Sequence, residues 1–173
     1  MRLFLALLPA PELCKRFGRL AGIAHARCGG RRIPEPNMHL TLAFIGELER
    51  ARAVKLAAWV QRLSIEPGHW RLDSWGSFRG PRIVWVGGQR PEPELTHLHQ
   101  ILWNALESRG IHGRPADYVP HVTLLRGADS LDTTPLPEFE LEWHYHRLEL
   151  VHSITDDQGA RYTTLAHSNS TID

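Results

Sequence analysis

The chain is 173 residues long, enough for one domain, or for two small lobes around a shared core. Its 42% hydrophobic and 23% charged residues are those of an ordinary soluble globular protein. A net charge of +1 excludes a general field steering the chain to nucleic acid or membrane, so any phosphate must be held by a local cluster. The positive charge is almost all arginine; Lys15 and Lys55 are the only lysines. Cys14 and Cys28 form no CxxC pair, so free thiols in a reducing compartment are expected. The opening "MRLFLALLPAPE" has an apolar run that is short, stops at Pro9 and lacks a cleavage site. It reads as a buried first strand and not as a signal peptide. No run approaches a membrane span, and a cytoplasmic location is expected.

Residues 2–8 form that strand. From Pro11 to Arg27, Leu13, Phe17, Leu20, Ala21 and Ala24 recur at helical spacing. Pro11 suits a first turn, and Gly29-Gly30 stop the helix. "MHLTLAFIG" (38–46) predicts a strand closed by Gly46. Residues 49–63 predict a second helix, with Ala53, Leu56, Val60 and Leu63 on one face. "HWRLDSWGSF" (69–78) and "PRIVWVGG" (81–88) predict two strands joined as a hairpin around Arg79-Gly80-Pro81. A third helix is expected over 92–109, then a strand "HVTLLRG" (121–127). "FELEWHYHRLELVHSI" (139–154) alternates as one long or bent strand. A turn at 156–159 leads to a last strand at 161–168, and a frayed tail is expected from about residue 168. Strands that follow one another without a helix need antiparallel neighbours. The order therefore predicts an α+β fold within one domain spanning 1–173.

One pattern occurs twice. His39-Leu40-Thr41-Leu42 and His121-Val122-Thr123-Leu124 both lie in predicted strands, 82 residues apart. Alternation puts His39 and Thr41 on one face, with Leu40, Leu42 and Phe44 on the other. The second copy repeats this with Val122 and Leu124 opposite its imidazole and hydroxyl. If the strands share a cleft, it holds two imidazoles and two hydroxyls. Hydrolysis of a phosphodiester needs a base for water and an acid for the leaving oxygen. Histidine titrates near neutrality and can serve as either. Threonine hydroxyls can donate to non-bridging oxygens as charge builds there. Neither a metal nor a cofactor is required.

"NMHLTLAFIGE" and "PHVTLLR", with "RLFLAL" at the start and "RIVWVG" mid-chain, resemble the two-histidine (2H) phosphoesterases. More closely they resemble the RNA 2′,3′-cyclic phosphodiesterases, once named 2′-5′ RNA ligases. The resemblance covers most of the chain. It implies a bilobal fold, with antiparallel sheets around a central cleft, a pseudo-twofold axis through it and helices outside. It implies His39 as proton donor to the leaving oxygen and His121 as acceptor from water; the residues' own chemistry leaves the two interchangeable. Thr41, Thr123 and Arg126 would hold the phosphate. The implied substrate is an RNA or oligonucleotide end bearing a 2′,3′-cyclic phosphate, opened to a 2′-phosphate, with reverse 2′-5′ ligation as a weak second activity. Relatives carry Arg-Trp before the first motif; here Arg32 is followed by Ile33.

Strict alternation puts Arg126 on the face opposite His121 unless the strand bulges. Arg27, Arg31 and Arg32 form a basic loop beside the first motif, from which Arg32 is taken as an RNA contact. Phe44 and Tyr118 are candidate base contacts. Trp75, Trp85 and Trp103 read as core. His97 and His99 diverge on a helix; His144 and His146 share a strand face without a third ligand, so no metal site is expected. A monomer is expected. Two alternatives stand beside this reading: a phosphodiesterase for small cyclic nucleotides or ADP-ribose cyclic phosphate, or a non-catalytic RNA-end binding protein.

Overall fold

A computed structural model describes residues 1–171. In chain order it contains β1 (Arg2–Leu7), α1 (Pro11–Cys28), β2 (Arg31–Arg32), a 3-10 turn at Glu35–Asn37 and β3 (Leu40–Glu47). Then come α2 (Arg50–Arg62), β4 (Ser64–Ile65), β5 (Gly68–Leu72), β6 (Ser74–Phe78), β7 (Ile83–Gly87) and α3 (Pro93–Ser108). The rest comprises β8 (Val122–Arg126), β9 (Leu141–Tyr145), β10 (Glu149–Asp156), β11 (Gly159–His167) and β12 (Asn169–Ser170). The fold is α+β, and the three helices begin and end within a residue of the predicted spans.

The main sheet runs β11-β10-β1-β3-β8-β7-β6, with β2 added to β8. All its described pairings are antiparallel. β3 and β8 meet through one bridge, Leu40 opposite Val122. One half of the sheet (β1, β3, β10, β11) and the other (β6, β7, β8) therefore join at a single pair of residues, the seam between two lobes.

Alternation along β1 builds the two faces. Leu3, Leu5 and Leu7 are buried in the large core, with Leu40, Leu42, Val84, Val122 and Leu124. Fully burying each such side chain is worth roughly 1.5–3 kcal/mol. Helix α1 contributes Phe17, Leu20, Ala21 and Ala24 to that core, and α3 contributes Leu95, Leu102, Trp103 and Leu106. Phe4 and Ala6 point the other way and form a small separate cluster with Val151, flanked by Leu8 and Tyr162. This second face bears the histidine motifs.

Two predicted strands are each two. Residues 69–78 break at Asp73, whose carboxylate accepts the Gln89 backbone N–H at 2.9 Å and whose own N–H donates to the Gly87 carbonyl. Aspartate is a poor strand former, and here it has a turn's bonding to satisfy. β5 then pairs with β9 in a separate small sheet, while β6 pairs with β7. The stretch 139–154 breaks between Tyr145 and Glu149, and its halves lie in different sheets. Buried Leu148 sits at the bend, its N–H donating to the Ser168 hydroxyl at 3.0 Å.

The expected fraying from residue 168 is not seen among the described residues. Ser168 is buried, β12 pairs parallel with β4, and the N–H groups of Asn169 and Thr171 donate to Leu63 and Ile65. Residues 172 and 173, the rest of that expected tail, lie outside the described residues.

Candidate active site

The Leu40–Val122 bridge fixes the site. In an antiparallel pair, the residues flanking a bridge oppose each other in reverse order. His39 thus lies across from Thr123, and Thr41 across from His121. Leu40 and Val122 enter the core, so the four polar side chains rise from the opposite face. They stand at the corners of a parallelogram with the imidazoles on one diagonal. Such diagonal neighbours are roughly 7–8 Å apart, room for a phosphate between two imidazoles.

Each imidazole is oriented by the same local device. His39 Nδ1 lies 2.7 Å from the Asn37 carbonyl, and His121 Nδ1 lies 2.8 Å from the Val119 carbonyl, in both cases two residues back. A carbonyl only accepts, so Nδ1 carries the proton and Nε2 is left for chemistry. His39 Nε2 contacts the Thr41 hydroxyl at 2.9 Å. Asn37 is itself tied by its side-chain amide to the Ala160 carbonyl at 2.9 Å, which fixes the 3-10 turn against the β10–β11 hairpin.

Each imidazole also packs against a pair of aromatic rings that touch each other. Phe4 is 4.8 Å and Tyr162 5.5 Å from the His39 ring. Phe78 is 5.0 Å and Trp85 5.9 Å from the His121 ring. Trp85, expected in the core, is half-buried at the site and pairs across the strands with Thr123. A Cβ on Gly76, its partner on β6, would collide with the indole; only glycine leaves the ring its seat. Trp103 is core; Trp75 is half-buried against it, its indole N–H donating to the Pro137 carbonyl. Phe4, Tyr162 and Phe78 carry no motif signal. They could be found in the sequence only as period-2 neighbours once the strand pairing is known.

Burial in this apolar surround holds the His39 imidazole down, to a pKa of about 4, reinforced by His121 and the Arg126 guanidinium. Burial lowers His121 too, with Arg126 adding to it. Both rings are neutral in the free cleft at pH 7.

Arg126 reaches the cleft through a bulge. Thr123 pairs with Trp85 and Leu125 with Val84, so Leu124 has no partner on β7. Leu124 and Leu125 both enter the core, and Arg126 turns to the His121 face. The same defect follows the first motif: Thr41 pairs with Ala6 and Ala43 with Leu5, leaving Leu42 extra. There it turns Phe44 to the cleft face opposite Phe4. Phe44 is 48% exposed, with the Arg2 guanidinium 4.9 Å from its ring centre. Phe44 and Arg126 are therefore counterparts across the seam.

The other two candidates are engaged elsewhere. Arg32 pairs with core-facing Leu125, and its guanidinium donates to the Gly18 carbonyl of α1 at 2.9 Å. That puts it on the helix side of the sheet, not in the cleft. Tyr118 stacks on His99 at 3.8 Å between ring centres, and its hydroxyl donates to the Thr41 carbonyl at 3.2 Å. Burial pushes its pKa up. It braces the second motif's approach against the first motif's strand instead of offering a ring to a base. His144 stacks on His69 across β5 and β9, with ring centres 5.3 Å apart. Among the described residues no three His, Cys, Asp or Glu side chains converge as metal ligands, and no helix is long and apolar enough to cross a membrane.

The chain and its fold have counterparts among known proteins. The RNA 2′,3′-cyclic phosphodiesterase of Escherichia coli is 32% identical over 137 residues, covering 79% of this chain and 77% of that one. The enzyme of the same name from Aeropyrum pernix is 32% identical over 116 residues, covering 63% and 66%. The crystal structure of E. coli LigT complexed with 3′-AMP superposes with a TM-score of 0.85 at 27% identity, covering 98% of both chains. TT0787 of Thermus thermophilus does so with a TM-score of 0.76 at 25% identity, covering 98% of this chain and 97% of that one. Residues 9–157 match the family model of the 2′-5′ RNA ligase superfamily, and the chain belongs to that superfamily.

Proposed function

We propose that the protein hydrolyses the 2′,3′-cyclic phosphodiester at an RNA end to a 2′-phosphate, by acid–base catalysis between His39 and His121. The observation that carries this reading is the Leu40–Val122 bridge, which sets two imidazoles on one diagonal and two hydroxyls on the other. Attacking and leaving oxygens of an in-line displacement lie on opposite sides of the phosphorus, so imidazoles at the two ends of a diagonal can each serve one of them. His121 Nε2 takes a proton from water as its oxygen bonds to phosphorus. The P–O3′ bond breaks, and the 3′ oxygen takes the proton from His39 Nε2. The products are a 2′-phosphate and a 3′-hydroxyl, with His39 left neutral and His121 protonated. Proton exchange with solvent resets the pair.

The depressed imidazole pKa values fit this chemistry. Burial, with the Arg126 guanidinium adding to it, makes both rings resist protonation in the empty cleft. An anionic phosphate between them reverses that bias, so the acid is charged when substrate arrives. In the free state the Thr41 hydroxyl donates to neutral His39 Nε2. Once Nε2 is protonated it becomes a donor, which releases the hydroxyl toward a non-bridging oxygen. Thr123 and Arg126 complete the phosphate contacts, and Phe44 is offered to a base. All these groups come from one chain, so a monomer suffices.

The test uses a short RNA ending in a 2′,3′-cyclic phosphate, with EDTA present. The expected product is a 2′-phosphate, with turnover lost in His39→Ala and in His121→Ala, each by about 10²–10⁴-fold. An active double variant would end the proposal. Faster turnover of mononucleotide cyclic phosphates than of RNA ends would move the substrate class to small cyclic nucleotides.

A further inference from the structure

Resting on the phosphodiesterase reading, we infer that Arg31 and Arg126 form a second anion subsite, which binds the phosphodiester on the 5′ side of the terminal nucleotide. Arg31 sits directly opposite Arg126 in the antiparallel β2–β8 pair. Directly opposed residues share a face, and the bulge at Leu124 puts Arg126 on the cleft face. Arg31 therefore lies on that face, whereas its neighbour Arg32 points to α1. Both Arg31 and Arg126 are exposed, and among the described residues neither has an acidic partner within ion-pair distance.

Like charges directly opposed across a strand pair destabilise a sheet, yet the chain goes to some length to oppose these two. Gly30 adopts φ +83°, and a Cβ there would fall 2.8 Å from the Arg126 carbonyl and from the Ala128 Cα. Gly29, at φ +70°, makes the turn out of α1. The Gly-Gly pair thus lets a two-residue strand press against β8. The Ile33 N–H then donates to the carbonyl of bulged Leu124 at 2.9 Å. Two planar forks carried at opposed positions on one face can match the oxygens of a phosphate.

The cyclic phosphate ends the RNA chain, so the nearest other phosphate lies one nucleotide upstream. Arg126 is three residues beyond Thr123 on the same strand. At about 3.3 Å per residue, less the bulge, the arginine pair stands within about 10 Å of the catalytic parallelogram, the reach of a single nucleotide. The charge of Arg126 acts on both imidazoles, so Arg126 serves the cyclic phosphate and the upstream phosphate together. Arg31 completes the pair from the opposed strand and is assigned to the upstream phosphate.

Three substrates test this: a mononucleotide 2′,3′-cyclic phosphate, a dinucleotide carrying the same end, and that dinucleotide with a neutral methylphosphonate linkage. Arg31→Gln should lower kcat/KM for the dinucleotide about tenfold through KM, the worth of one charge-assisted hydrogen bond. It should leave the mononucleotide and the methylphosphonate unchanged, and Arg31→Lys should restore part of the loss. The log–log salt slope for the dinucleotide should fall by about 0.7. Equal losses on all three substrates, or no loss on the dinucleotide, would overturn the subsite. Affinity of the 2′-phosphorylated dinucleotide product for wild type and Arg31→Gln reads the subsite without turnover. Failure of the phosphodiesterase reading would show separately, as a wild-type protein that opens none of the three.

Discussion

Acidification should remove a definable part of the protein's stability through one side chain. The His39 imidazole is held at about 4 against an ordinary 6.5, and each pH unit of difference is worth about 1.4 kcal/mol. The unfolded chain binds a proton at this position below pH 6.5, while the folded chain refuses it until about pH 4. Between those values the unfolded state holds more protons, so stability falls as pH falls. The full difference is about 3 kcal/mol, a large fraction of an ordinary domain's 5–15 kcal/mol. Urea unfolding of wild type and His39→Gln at pH 7, 6, 5 and 4 measures it. The two curves should converge or cross as pH drops, because the variant lacks the titrating ring. Inorganic phosphate in the cleft should flatten the wild-type slope, since an anion between the rings favours the imidazolium. Parallel stability curves for the two proteins would refute the claim that the cleft forces His39 neutral.

Other substitutions probe the parts around that ring. Arg126→Gln removes a charge that opposes both imidazolium forms. The acidic limb of the pH profile of kcat/KM should move to higher pH, with kcat/KM itself falling at least tenfold. Tyr118→Phe deletes the hydroxyl that donates to the Thr41 carbonyl. Stability by urea unfolding should fall by about 1 kcal/mol, and kcat should fall several-fold with KM little changed. Gly76→Val would drive a side chain into the Trp85 indole. It should cost about 1–3 kcal/mol or more, with a change in near-ultraviolet circular dichroism and a drop in kcat as the His121 surround shifts. Ser168→Ala leaves the buried Leu148 N–H without its acceptor and should cost about 1–3 kcal/mol in the same unfolding assay, with kcat unchanged.

The helices and both motif strands are legible in the sequence because periodicity and terminators agree: Pro11 starts α1, and Gly29 ends it. The face carrying His39, Thr41, His121 and Thr123 follows from alternation alone. Alternation fails where a strand bulges, and nothing local announces Leu42 or Leu124 as the extra residue. Arg126 and Phe44 are accordingly misassigned by strict counting, although each lies three residues past its threonine. The same counting cannot tell Arg31 from Arg32, because β2 is two residues long and its register is set by β8. Asp73 breaks a run that reads as continuous strand, through a hydrogen bond to a residue sixteen positions away. Trp85 looks like core by type and is drawn to the cleft by glycine at position 76. The tail, polar in composition, is held by backbone pairing with β4, a contact that reaches back across most of the chain.

In the proposed reaction His39 gives a proton to the leaving 3′ oxygen while His121 takes one from water. A cyclic substrate with sulfur in place of the bridging 3′ oxygen tests this division of labour directly, because a thiolate leaves without needing a proton. Single-turnover rates would be measured for wild type, His39→Ala and His121→Ala on the oxygen and sulfur substrates. Sulfur should restore most of the rate to His39→Ala and none to His121→Ala. Restoration of His121→Ala, or of neither variant, would contradict these roles.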